Sequence, residues 1–188
     1  MSRPAFLVDG YTEKLIVEEL CPGSKVRRIG CNGNTVSIDA IAKLVASQIR
    51  LMNTQFHPIF IVIDREDRKE EAHAIAENLE GQIRLHGINE TIRVVVCDRM
   101  IENWIIADWE NLKSSVGNEL PFDKPLNTDG CNGKSQLRQH LPNYQETTDG
   151  VRLFKSARPS VLVENSPSFR RLHDALYDVN CWWKSKEL

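Results

Sequence analysis

The run Ile59-Phe60-Ile61-Val62-Ile63, ending in Asp64, constrains the fold more than any other stretch of the chain. Successive side chains of a strand point to opposite faces of a sheet. A run without polar alternation must therefore be covered on both faces, as a strand inside a parallel sheet layered between helices is. Ala5 to Asp9 and Thr91 to Cys97 are runs of the same kind. The segments between them carry apolar residues at helical spacing.

The first strand leads through Gly10 into a helix that Thr12 is expected to cap and that Leu15, Ile16, Glu19 and Leu20 continue, until Cys21-Pro22-Gly23 stops it. Lys25 to Ile29 is too polar for a sheet centre and reads as a short, exposed strand. After the loop Gly30-Cys31-Asn32-Gly33-Asn34, Ser37 caps a helix carried by Ile38, Ile41, Leu44, Val45, Ile49 and Met52. Pro58 restarts the chain into the central strand, and a charged helix is expected from about Asp67 to His86 on the stripe Ala74, Ile75, Leu79 and Ile83. Strands alternating with crossover helices predict an α/β fold, a mostly parallel sheet flanked by helices. From about Leu112 the pattern breaks into short helices, notably Ser135 to His140 and Ser168 to Val179, which predict a C-terminal helical lobe over the strand tips. The expected organisation is an α/β domain over residues 1–112 with a helical extension, 113–188, packed on the same domain.

A net charge of -2 over 188 residues gives no global affinity for nucleic acid, so any such contact must be local or supplied by a partner. No apolar run approaches the roughly 18 residues of a membrane span, and the N-terminus has no basic region followed by an apolar one. A cytoplasmic protein with no membrane contact is expected. The five cysteines are odd in number, scattered and without a C-x-x-C pair, which argues against a zinc knuckle and against a disulfide framework. Reduced, structural thiols are expected.

Asp9 and Asp64 each end an apolar strand, at the edge where open α/β sheets bind their ligands. Glu13 lies about one helical turn beyond Asp9. Glu66 shares a side with Asp64 if the strand stays extended, and Glu66-Asp67 then opens the charged helix. Glu102 follows the strand ending near Cys97 and stands before an apolar helix, where a carboxylate needs a partner. Clustered carboxylates of this kind suit a hard divalent cation such as Mg²⁺. Glu13, Asp67 and Glu102 equally suit the first turn of a helix, where acids complement the macrodipole. Arg65 and Arg68 can fix carboxylate orientation or neutralise a phosphate. Lys134, Arg138, Lys155 and Arg158 form either a basic rim for phosphates or a solvated surface. Lys134-Ser135 is not a P-loop, because Thr128 stands where that motif needs glycine. Trp182-Trp183 and Phe169 are expected to anchor the C-terminal helix, and His86, His140 and His173 are read as structural.

Val8-Asp9-Gly10-Tyr11-Thr12-Glu13 is similar to the V-E-G-x-T-E opening of Toprim domains, and Asp64-Arg65-Glu66 is similar to their D-x-D motif. The whole chain resembles the Toprim-related family called domain of unknown function 4276. The resemblance extends through Glu102-Asn103-Trp104-Ile105-Ile106-Ala107-Asp108, similar to the family's E-x-E-A-x-L-x-A-D segment, and through Gly133-Lys134-Ser135-Gln136-Leu137, Pro142-Asn143-Tyr144 and Ser166-Pro167-Ser168-Phe169 in order. It implies a Toprim-like sheet over residues 1–112. It also implies a Mg²⁺- or Mn²⁺-dependent phosphodiesterase, a DNA or RNA nuclease subunit of a prokaryotic antiviral defence system that works with an ATPase. In that reading Asp9, Asp64 and Glu66 are metal ligands, Asp9 alternatively a general base, and Glu13 and Glu102 complete a second metal site or orient water. Arg65, Arg68, Lys134 and Lys155 would meet phosphate. Two letters depart from the pattern: Asp9 stands for the leading glutamate and Glu66 for the second aspartate. The alternative is a catalytically inactive regulatory or adaptor subunit of the ATPase, and a third reading is action on a nucleotide or other small phosphate ester.

Overall fold

Four strands, β1 (Arg3–Val8), β2 (Lys25–Arg28), β3 (Phe56–Asp64) and β4 (Ile92–Cys97), form one sheet in the order β2-β1-β3-β4, and every neighbouring pair is parallel. The structure is a computed structural model that describes residues 3–52, 55–117, 127–179 and 181. β3 is interior, as its unbroken apolar run requires. Its Ile59, Ile61 and Ile63 join one core, while Phe60 and Val62 join the other. β2, the polar strand, lies at the edge.

The first core lies under α2 (Ile38–Arg50) and α3 (Ala72–Leu85), through Ile41, Val45, Ile49, Ile75, Leu79 and Ile83. Ser37 caps α2 as expected, accepting from the Ala40 amide at 3.2 Å. The opposite face carries α1 (Tyr11–Leu20) and α4 (Glu102–Ala107). With them lie α5 (Trp109–Val116), α6 (Gly133–His140), a π-helical turn (Glu146–Gly150), α7 (Val151–Ser156), α8 (Pro159–Asn165) and α9 (Pro167–Ala175). Thus the C-terminal helices do more than sit over the strand tips. α1 alone is too short to cover that face, so Phe6, Phe60 and Val95 share a core with Leu162, Phe169 and Leu172. At its centre Trp104 packs edge-on against Phe169, centroids 5.2 Å apart, and donates its indole N–H to Ser168 Oγ at 2.9 Å. Full burial of each such aromatic contributes on the order of 2–3 kcal/mol.

Several local expectations are corrected. Thr12 does not cap α1: Gly10 does, and Glu13 Oε2 accepts from the Gly10 amide at 2.9 Å. α3 starts at Ala72, not near Asp67, because Glu66 has φ 59°, in the left-handed region, and Arg65 Nη1 donates to the Arg68 carbonyl at 2.6 Å across the turn. Glu66 therefore does not continue an extended strand, and Glu66-Asp67 opens no helix. α9 ends at Ala175, short of Val179. Nor are all the thiols reduced: Cys21 and Cys181 form a disulfide with Cα atoms 4.5 Å apart, while Cys31, Cys97 and Cys131 are free. With a sequence separation of 160, spacing carries no hint of the pair. Trp182 and Trp183 lie outside the described residues. Among the described residues no helix is long and apolar enough to cross a membrane.

Candidate functional site

Because all strands point the same way, their carboxyl ends share one edge, along which lie Arg28, Asp9, Asp64 and Asp98 in the order of the strands. The two-residue period of β3 continues from Phe60 and Val62 to Asp64, which turns its carboxylate toward the layer of α1 and α4. Glu13 enters from the first turn of α1 and Glu102 opens α4. The charges of Glu13, Glu102, Asp9 and Glu66 all act on Asp64.

Asp64 is 7% exposed, and its Oδ1 has no hydrogen-bond partner among the described residues. Burial, followed by these four acidic neighbours, pushes its carboxyl well above the usual range. Glu102, 2% exposed, is raised by burial from 4.5 to about 7. Burial raises Glu13 as well, with the Asp9 charge adding to it. Asp9 is raised by burial even though Asn32 Nδ2 donates to its Oδ2 at 2.5 Å. The same nitrogen donates to the Asp64 carbonyl at 2.8 Å. Cys97, buried beside Asp64, has its thiol pushed up by desolvation, which makes it inert rather than nucleophilic.

The two arginines near the acids are engaged with the protein. Arg65 Nε donates to Asp98 at 2.6 Å, and Arg68 Nη2 donates to Asn32 Oδ1 at 3.1 Å and to the Gly33 carbonyl at 2.6 Å. Arg68 thereby braces the Asn32 bridge. Lys134 is brought to the acids: burial opposes its charge, but Glu102 and Glu146 outweigh that and raise its pKa, and Nζ lies 3.1 Å from Glu146. Gly133 makes this approach feasible, since a Cβ there would stand 2.8 Å from the Asn103 amide nitrogen and 2.9 Å from the Glu102 carbonyl carbon. Asn103 fastens the same loop by donating to the Thr128 and Cys131 carbonyls. Beside the acids opens a cleft of about 480 Å³ lined by Glu66, Asp67, Arg99, Met100, Lys134 and Arg138, among others.

Lys155 and Arg158 are not part of this group. Lys155 Nζ lies 2.9 Å from Glu19. Arg158 grips Asp108 through Nε at 3.0 Å and Nη2 at 2.6 Å; burial would raise Asp108, but these bonds hold it below the usual carboxylate range. Asn32 and Asn103 were not singled out in the sequence. The only signal for Asn32 was its place before a glycine in a loop facing the strand tips.

The donor chemistry is that of a hard cation: Asp64 has one oxygen without a partner among the described residues and feels the charges of four other buried or half-buried acids. Among the described residues no three Asp, Glu, His or Cys side chains already converge as ligands. Mg²⁺ does not need three, since it is commonly held through one or two carboxylates and keeps several waters. Asp64 and Asp9 are oxygen donors of that type at the tips of neighbouring strands. No curated protein and no solved structure matches the chain. The profile of the family described as a domain of unknown function, DUF4276, matches residues 8–177, and the chain belongs to that family.

Proposed function

We propose that this protein is a Mg²⁺- or Mn²⁺-dependent phosphodiesterase of Toprim-like type, a DNA or RNA nuclease subunit acting with an ATPase in a prokaryotic defence system. The observation that carries the reading is Asp64: a buried carboxylate at the carboxyl edge of a parallel sheet, pressed by four other acids, with one oxygen lacking a partner. Such a group is costly unless a cation or a proton neutralises it. Asp64 and Asp9 would hold the ion, and Glu66 would complete its shell through water. Bound there, the ion would neutralise charge on the scissile phosphate and lower the pKa of an attacking water. Glu102, titrating near 7, is matched to take a proton from that water or give one to the leaving oxygen at neutral pH. Glu13 would hold a second proton, and Lys134 would offset the charge of the phosphate.

One observation favours the alternative of an inactive regulatory or adaptor subunit: Asp9 Oδ2 and Glu13 Oε2 are already occupied by the protein's own donors. Cleavage of plasmid and of RNA with Mn²⁺ or Mg²⁺, by the protein alone and with its ATPase, separates the two. The nuclease reading expects metal-dependent cleavage that Asp64→Asn abolishes. No cleavage in either setting, with biological activity retained by Asp64→Asn, would leave the adaptor reading standing.

A further inference from the structure

We propose that the carboxyl edge of the sheet is a track for a single-stranded nucleic acid. Tyr11 and Arg28 form a base-stacking platform at one end, and the cleft of Arg99, Lys134 and Arg138 grips the backbone at the other. The inference rests on the phosphodiesterase reading and names its substrate class.

Tyr11 begins α1, yet it is 50% exposed and belongs to neither core. Arg28, the last residue of β2, places its guanidinium carbon 5.5 Å from the Tyr11 ring centroid. An aromatic ring open to solvent with an arginine beside it offers a surface on which an unstacked base can stack. Strand order then sets the route. Arg28 ends β2, Asp9 and Tyr11 follow β1, Asp64 ends β3 and Arg99 follows β4, so platform, acids and cleft succeed one another along one edge. Three inter-strand spacings separate the ends, roughly 14 Å.

The cleft has the opposite character from the platform. Arg99 pairs with Asp67, while Lys134 and Arg138 share Glu146, each at 3.1 Å. Arg99, Lys134 and Arg138 line the cleft against the carboxylates of Glu66 and Asp67, and a phosphate there would replace Glu146 as the partner of Lys134 and Arg138. A duplex keeps its bases stacked inside and cannot offer one to Tyr11 without unpairing, so the arrangement selects a single strand.

Fluorescence anisotropy with a short fluorescein-labelled oligothymidylate and the matched oligo(dA)·oligo(dT) duplex tests the track. Ca²⁺ would be present to occupy the oxygen donors. The single strand is expected to bind more tightly than the duplex. Tyr11→Ala should weaken it about tenfold and Tyr11→Phe hardly at all, with circular dichroism melting confirming that both variants fold. Arg138→Ala should lower the slope of log affinity against log salt by about 0.7. Equal or tighter binding of the duplex, an unchanged Tyr11→Ala variant, or no binding of either probe overturns the track. Cleavage with Mn²⁺ is scored separately. Single-strand binding that depends on Tyr11, with no cleavage either alone or with the ATPase, keeps the track and sinks the nuclease, whereas cleavage that ignores Tyr11 does the reverse.

Discussion

Asn32 and Asp9 meet at 2.5 Å, amide nitrogen to carboxylate oxygen, and the same nitrogen reaches the Asp64 carbonyl at 2.8 Å. One loop side chain thus fastens the tips of two neighbouring strands. Removing it in Asn32→Ala leaves a half-buried carboxylate without its donor, at a cost of about 1–3 kcal/mol. A melting temperature lower by several degrees is expected, together with weaker divalent-cation binding by calorimetry. Asn32→Asp should be worse than alanine, because it sets a like charge against Asp9.

Without divalent cations at pH 8, Asp64→Asn should melt at a higher temperature than the wild type, since it removes a charge that burial and four acids oppose. Adding Mn²⁺ should reverse the order by stabilising only the wild type. Differential scanning fluorimetry reads both effects, and a variant that still gains stability from Mn²⁺ would place the ion elsewhere.

The pH dependence follows from Glu102. Its pKa is raised from 4.5 to about 7, so the folded state holds the proton more tightly than the unfolded state. The associated stability is fully present below about 4.5 and is lost as pH rises through about 7. That displacement is worth on the order of 3 kcal/mol. Urea titrations between pH 5 and 8 should show the decline, and Glu102→Gln should flatten it. Asp64, Glu13 and Asp9 are raised as well and act in the same direction.

Gly133→Ala should be among the most damaging small substitutions in the chain. Its Cβ would meet backbone atoms of Asn103 and Glu102 at 2.8 and 2.9 Å, which cannot rotate away. About 2–3 kcal/mol of stability should be lost. Lys134 would be displaced from Glu102, so the midpoint of Glu102 titration, followed by NMR of its side-chain carboxyl, should move upward.

Arg158→Ala separates support from ligand contact. It would strip the guanidinium from Asp108, whose side chain is 0% exposed, and should cost about 2 kcal/mol. Oligonucleotide affinity should stay unchanged when measured well below the melting transition.

The parts of the molecule visible in the sequence were those written in a local period. Unbroken apolarity in Ile59–Ile63 marked a two-sided strand, the polar Lys25-Val26-Arg27-Arg28 marked an edge, and Asp9 and Asp64 stood at strand ends where sheet topology places ligands. What escaped depended on chain segments meeting in space. Asn32 reaches across 23 residues to Asp9 and 32 to Asp64, Arg158 reaches 50 to Asp108, and Cys21 meets Cys181 across 160. Glu66 escaped for another reason: its left-handed backbone is set by the Arg65 turn, and a glutamate carries no signal for it.

The interior position of β3 has a consequence for how the acids come to exist as a group during synthesis. Asp64 depends on Asp9 from one neighbouring strand, Glu13 from the helix after it, and Glu102 from a helix beyond the other neighbouring strand. These partners span half of the chain, and non-local pairings of this kind form slowly. A nascent chain that has emerged only as far as β3 holds the Asp64 carboxylate but not Glu102 or Lys134. The five acids can therefore stand as one group only after the chain through α4 has been made and has folded onto the sheet.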